Sequence, residues 1–256
     1  MHETVVAIQL AKQAGEILRD NWGRQNLRIE QKGVINPVSE IDRQSEAVIT
    51  SGLRKAFPND SLLAEEGTAI NQGVASRWII DPLDGTTNYL HCYPQVAVSI
   101  GLEKNGKMIL GVVLNPILDE LFVAEAGNGA TLNGKTIHVS TITQLRKAVL
   151  ASGFPYNAWT AKENNTREWS MFVRRCISMR CDGSAALDMC HVACGRVDGY
   201  WERGVSPWDV AAGVVIAREA GAWVCNYSGG LDILEKDEII VSNPILASQI
   251  QKILKG

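Results

Sequence analysis

Trp78-Ile79-Ile80-Asp81-Pro82-Leu83-Asp84-Gly85-Thr86-Thr87-Asn88 is the stretch that decides how this chain is read. An apolar strand runs directly into two aspartates three residues apart. Pro82 removes a backbone donor and sets φ, while Gly85 frees the backbone. The chain is thus able to turn and aim both carboxylates, with the Leu83 carbonyl, into one cleft. Gly85-Thr86-Thr87 reads as a helix start whose N–H groups and hydroxyls receive an anion, phosphate above all. Acids beside an anion repel it unless a cation lies between them, so the stretch implies a divalent ion. Hard oxygen ligands favour Mg²⁺ or Mn²⁺ over zinc. Capping a turn and a helix, the plainer use of Asp81 and Asp84, accounts for one aspartate but poorly for the whole pattern.

Outward from this stretch, Val6, Leu10, Ala14 and Ile17 recur as the apolar stripe of a first helix, and Ser39 to Ala56 reads as a second. Pro58-Asn59-Asp60 breaks that pattern before the apolar run Ser61 to Ala64. Downstream, Val96 to Leu102 faces Met108 to Leu114 across Asn105-Gly106, a strong hairpin signal, and Glu120 to Ala126 adds a strand. The spacing predicts an antiparallel or mixed sheet with the early helices on one face. From Val149 short strands alternate with helices: Lys162 to Cys176, Ser184 to Cys194, then helices opened by Ser206-Pro207 and Asn243-Pro244. One domain with two lobes, about 1–145 and about 146–256, is expected.

The chain of 256 residues is 46% hydrophobic and 21% charged, enough to bury a core. Twenty-five Lys and Arg against 28 Asp and Glu leave a formal charge of −3, without a basic run, which argues against general nucleic-acid binding. No apolar stretch reaches the roughly 20 residues that span a bilayer. The N-terminus has no signal-peptide pattern, so a soluble cytoplasmic protein with six reduced cysteines is expected. Cys190-His191-Val192-Ala193-Cys194 lacks a second cluster to complete a tetrahedral site and reads as helix packing. His91 has no partner at ligand spacing and is expected to pack or hydrogen-bond beside the signature.

Other acids carry less on their own. Glu65-Glu66 ends an apolar run and reads equally as solvated surface. Asp209 fits a capping box with Ser206, Asp42 fits a helix-face carboxylate, and Glu202 fits an ion pair with Arg203.

Together, however, the segments Asn36-Pro-Val-Ser-Glu-Ile-Asp42, Ala64-Glu65-Glu66, Trp78 to Asn88, Gly183-Ser-Ala-Ala186 and Trp208-Asp-Val-Ala-Ala-Gly213 resemble the inositol monophosphatase family of metal-dependent phosphatases, in order and spacing, over nearly the whole chain. Ser39 stands where many members carry Thr, which keeps the hydroxyl. The resemblance implies a layered αβαβα sandwich of the sugar phosphatase type, an α+β fold of mixed and antiparallel sheets with helices between and outside. It also implies a lithium-sensitive homodimer using two to three Mg²⁺ ions.

Carried over by position, the resemblance has Glu65, Asp81 and the Leu83 carbonyl hold one Mg²⁺, and Asp81, Asp84 and Asp209 a second. A weaker third ion lies near Glu65, with Glu66 supporting this shell. Thr86, paired with Asp42, activates the attacking water. Gly183, Ser184 and Ala185 contact the substrate, Glu202 accepts its hydroxyls, and Asp84 and Asp209 also touch it, while Gly85, Thr86 and Thr87 face the phosphate. The implied reaction is hydrolysis of inositol 1-phosphate or a related small polyol or sugar phosphate. Fructose 1,6-bisphosphatase, histidinol-phosphate phosphatase and nucleotide 3′-phosphatase are rivals within the class. A regulatory protein that binds RNA polymerase or ribosomal components is the rival outside it.

Overall fold

A computed structural model describes residues 1–32 and 37–255; Asn36, the first residue of one matching segment, lies outside them. Eight strands form the larger sheet, in the spatial order Lys135–Thr136, Ala130–Leu132, Glu120–Glu125, Lys107–Asn115, Ala97–Lys104, Ser76–Asp84, Ser61–Ala64, Ala69–Ile70. Every neighbouring pair is antiparallel except Ser61–Ala64 with Ser76–Asp84. The smaller sheet orders Ser178–Arg180, Val149–Ser152, Gly199–Arg203, Glu238–Ser242 and Trp223–Cys225, its first three strands parallel. Asn105 and Gly106 both take positive φ at the expected hairpin, the backbone twist that a two-residue turn requires.

Helices α1 (His2–Asp20) and α2 (Glu40–Ala56) pack together on one face of the larger sheet. The buried stripe of α1 is Ala7, Leu10, Ala11, Ala14 and Leu18, so Val6 and Ile17 sit at its edge rather than its centre. After the five-residue α3 (Thr86–Leu90) comes α4 (Thr166–Val173), shorter than the expected Lys162 to Cys176. Asn165 precedes its first turn in the left-handed region, where its amide donates to Ser152 Oγ at 2.7 Å and to the Gly153 carbonyl. Helices α5 (Ala185–Ala193) and α6 (Pro207–Glu219) lie between the two sheets, and α4 and α7 (Pro244–Lys255) contribute Phe172, Leu246 and Ile250 to the core beyond the smaller one.

The result is the layered αβαβα sandwich of alternating helix and sheet layers. Within its middle layer α6 is apolar all round: every residue from Val210 to Ala217 is buried. Close approach to the sheet depends on Gly101 and Gly111, cross-strand partners in the register. A Cβ on Gly101 would stand 3.1 Å from the Ala212 nitrogen, and one on Gly111 would collide with the Ala212 carbonyl. Seating α6 here sets the position of its first turn, which carries Asp209.

Candidate active site

Strand pairing gathers the first acids. Ser61–Ala64 runs parallel to the signature strand with Ala64 opposite Ile80, so Glu65 and Asp81, the next residues, leave adjacent strand ends together. The register of the signature strand against Ala97–Lys104 shifts between Asp81 and Asp84. This bulge re-aims the side chains around Pro82, whose carbonyl accepts the Ser45 hydroxyl at 2.7 Å. Asp81 Oδ1 accepts the Leu83 N–H at 3.0 Å, a local turn that points the rest of the carboxylate outward. Gly85 then takes φ +90°, and a Cβ there would sit 2.7 Å from the Gln95 carbonyl, so only glycine makes this corner.

Glu65, Asp81, Leu83, Asp84 and Asp209 line one cleft of about 330 Å³ together with Gly85, Thr87, Gly183, Ser184, Ala185 and Glu202. Asp84 Oδ2 accepts the Ser184 hydroxyl at 2.6 Å and the Ala186 N–H at 2.8 Å, tying the signature strand to the start of α5. Asp209 closes its capping box, accepting the Ser206 N–H at 2.7 Å, and lines the cleft with the same side chain. Phe154, Pro155 and Tyr156 add an apolar wall that nothing in the local sequence marked.

Thr86 and Asp42 lie buried beneath the lining rather than in it. The Thr86 hydroxyl donates to Asp42 Oδ1 at 2.8 Å and also lies 3.2 Å from the Leu83 carbonyl, which faces the cleft. Asp42 Oδ2 accepts both the N–H (2.9 Å) and the hydroxyl (2.5 Å) of Ser39, so one carboxylate caps α2 and receives Thr86. Glu66 also stays out of the lining. Its N–H donates to Glu46 Oε2 at 2.7 Å, and its carboxylate pairs with Lys32, which lies 3.0 Å from Glu65. No motif pointed to Lys32.

Glu202 takes the cleft alternative. Neighbours on a strand point to opposite faces, so Arg203 turns away to Glu163 and to Glu238 at 3.3 Å. Glu202 instead accepts the Tyr200 hydroxyl at 2.8 Å, and the absent side chain of Gly153 makes room for it. His91 departs from expectation: it is exposed at the end of α3, outside the cleft lining. Asn88 closes the signature stretch. Its amide donates to the Gln95 carbonyl at 2.8 Å and the Asp182 carbonyl at 2.7 Å, clamping the loop that supplies Gly183.

Electrostatically the cleft gathers acids of which, among the described residues, Glu65 alone has an ion-pair partner, Lys32. Burial, then the charges of Glu65, Asp84 and Asp209, push the Asp81 carboxyl far above its usual range. Burial likewise raises Asp84 to about 6 despite its donors, lifts Asp209, and holds Glu202 at about 7 with Asp84 adding to the effect. Carboxylates that destabilise one another in a desolvated cleft are a charge set lacking its cations. The candidate donors are four carboxylates and a carbonyl; Cys181 also lines the cleft, but burial pushes its thiol up to about 11 and keeps it protonated, so the set fits a hard ion of the Mg²⁺ type.

Comparison with known proteins agrees. The model of the inositol monophosphatase family matches residues 2–255. The chain is 41% identical to a Nus factor SuhB of Vibrio cholerae over 93% of this chain and 90% of that one. It is 40% identical to an inositol-1-monophosphatase of Mesorhizobium japonicum over 98% and 95%. The crystal structure of the extragenic suppressor protein suhB from Bartonella henselae superposes with a TM-score of 0.94 at 40% identity, covering 100% of this chain and 99% of that one. Fold, cleft and relatives define a phosphomonoesterase. The chain belongs to the inositol monophosphatase family, whose members depend on metal.

Proposed function

We propose that the chain is a Mg²⁺-dependent phosphomonoesterase that hydrolyses inositol 1-phosphate or a related small polyol or sugar phosphate to the alcohol and inorganic phosphate. The observation that carries this reading is the convergence of Glu65, Asp81, Asp84 and Asp209 on a single cleft beside the Leu83 carbonyl. Glu65, Asp81 and Leu83 would hold one ion and Asp81, Asp84 and Asp209 another, with a weaker third near Glu65 and Mn²⁺ as a substitute. Bound there, the ions supply charge neutralisation for the phosphoryl oxygens and lower the pKa of bound water.

The chain's own residues provide the rest. Thr86 commits its proton to Asp42, which leaves the hydroxyl oxygen able to accept from a water and orient it for in-line attack. Asp42 in turn is held by both Ser39 donors, so the pair cannot rotate freely. Gly85, Thr87, Gly183, Ser184 and Ala185 line the cleft where the phosphate and its ester oxygen would sit, and Glu202 would receive hydroxyls of the organic part. A volume of about 330 Å³ suits a small ester.

The test is Mg²⁺-dependent phosphate release from a panel of inositol phosphates, fructose 1,6-bisphosphate, histidinol phosphate and 3′-phosphoadenosine compounds, with and without Li⁺. Wild type is expected to release phosphate and Asp84→Asn and Asp209→Asn to lose it; equal release by all three refutes the metal assignment. The panel also decides between inositol phosphate and the bisphosphatase or histidinol-phosphate alternatives. The likeness to a protein named Nus factor supports a second, regulatory reading, which gains if no ester in the panel is hydrolysed.

A further inference from the structure

Behind the cleft wall, α5 carries Asp188 and His191 at i and i+3, on one face, and Asp182 reaches them from the loop before the helix. A carboxylate oxygen of each aspartate and a ring nitrogen of His191 lie within 4.8 Å of one another. Asp188 is 1% exposed, and its Oδ1 is buried without a hydrogen-bond partner among the described residues. A buried acid oxygen left in this state is costly unless something unrecorded satisfies it.

Among the described residues no Lys or Arg forms an ion pair with Asp182 or Asp188; Arg180, whose charge reaches Tyr93, donates instead to the Ser178 hydroxyl and the Met179 carbonyl. The Tyr93 hydroxyl donates to Asp182 Oδ1 at 3.3 Å. Arg196, near His191, is held by Glu120 through two bonds of 2.7 and 2.5 Å. From the cleft side, Glu202 and Asp84 add negative charge that raises the Asp188 carboxyl beyond the effect of burial. His191 is 8% exposed, and burial, the larger cause, holds its pKa below the usual imidazole value, keeping the neutral form that binds metals.

We propose that Asp182, Asp188 and His191 form a second divalent-cation site, separate from the all-oxygen cleft and selective for a borderline transition ion such as Co²⁺ or Zn²⁺. An imidazole among the donors is what distinguishes it, because nitrogen ligation favours such ions over Mg²⁺. The ion pins the Cys181–Ser184 segment, whose Asp182 carbonyl accepts the Asn88 amide and whose next two residues line the cleft.

The experiment uses the full chain, stripped with chelator and held in a large excess of Mg²⁺, titrated with Co²⁺ and followed by visible absorption and calorimetry. One equivalent is expected to bind with the spectrum of nitrogen and oxygen ligation. Asp182→Asn and His191→Gln are each expected to weaken it by about tenfold or more, with melting curves showing both folded. Cys181→Ser, which removes the neighbouring thiol, is expected to leave binding and spectrum unchanged. Absence of Co²⁺ binding in Mg²⁺, equal binding by the two site variants, or loss of the ion in Cys181→Ser overturns the proposal.

Discussion

At the residue scale, Asp84 sets function against stability. Burial, with the charge of Glu65 adding to it, raises its carboxyl to about 6, so in metal-free protein at neutral pH the charged form strains the fold. Asp84→Asn keeps an oxygen able to accept from Ser184 and Ala186 while removing that charge. Its phosphate release with Mg²⁺ is expected to fall by more than about a hundredfold, while the apo protein gains on the order of 1–2 kcal/mol. A thermal scan with chelator beside an activity assay checks both; a lower apo melting point refutes the argument. Thr86→Val keeps the shape and removes the proton that Asp42 accepts. It is expected to lower kcat by about 10²–10⁴ with little change in KM, because in the proposed mechanism the hydroxyl orients water rather than substrate.

At the element scale, α6 is positioned by glycines on the two neighbouring strands it packs against. A methyl on Gly111 meets the Ala212 carbonyl, a backbone atom that cannot swing aside. Gly111→Ala is expected to cost about 1–3 kcal/mol in denaturant unfolding and to weaken the apparent Mg²⁺ affinity, since the displaced helix carries Asp209. Unchanged affinity in a destabilised protein would separate the two effects. The local devices of this scale were legible beforehand. Ser39 and Ser206 announce helix starts, Asn105-Gly106 a hairpin, and Asp-Pro followed by Asp-Gly-Thr an acid-lined strand end. Lys32, the Asn88 clamp, the wall of Phe154 and Tyr156, and the Asp182–Asp188–His191 group were not. Each is made by residues that only tertiary packing or loop geometry brings together, and no period or spacing along the chain records it. Asp42 and Asp209 were ambiguous because each caps a helix with a carboxylate that also bonds Thr86 or lines the cleft.

At the scale of the whole molecule, the acids titrate together. Unfolded carboxyls ionise near pH 4, whereas Asp84 is raised to about 6 and Glu66 and Glu202 to about 7, each mainly by burial. Between those limits the folded chain binds protons that the unfolded chain has lost, so metal-free stability declines as pH rises through this window. His191, depressed by burial, acts in the opposite direction below its unfolded value near 6.5, as a single group against several. The melting temperature in chelator is therefore expected to be higher at pH 5.5 than at 7.5. The increment from Mg²⁺ is expected to be larger at pH 7.5, where the ion no longer competes with protons; the reverse order refutes the cleft electrostatics. The middle layer bears on how such a molecule tolerates change. A rod gripped on all sides has no wet surface on which substitutions go unnoticed, so retailoring this scaffold for another ester is a matter for the rim around residues 153–157, with the girder beneath left intact.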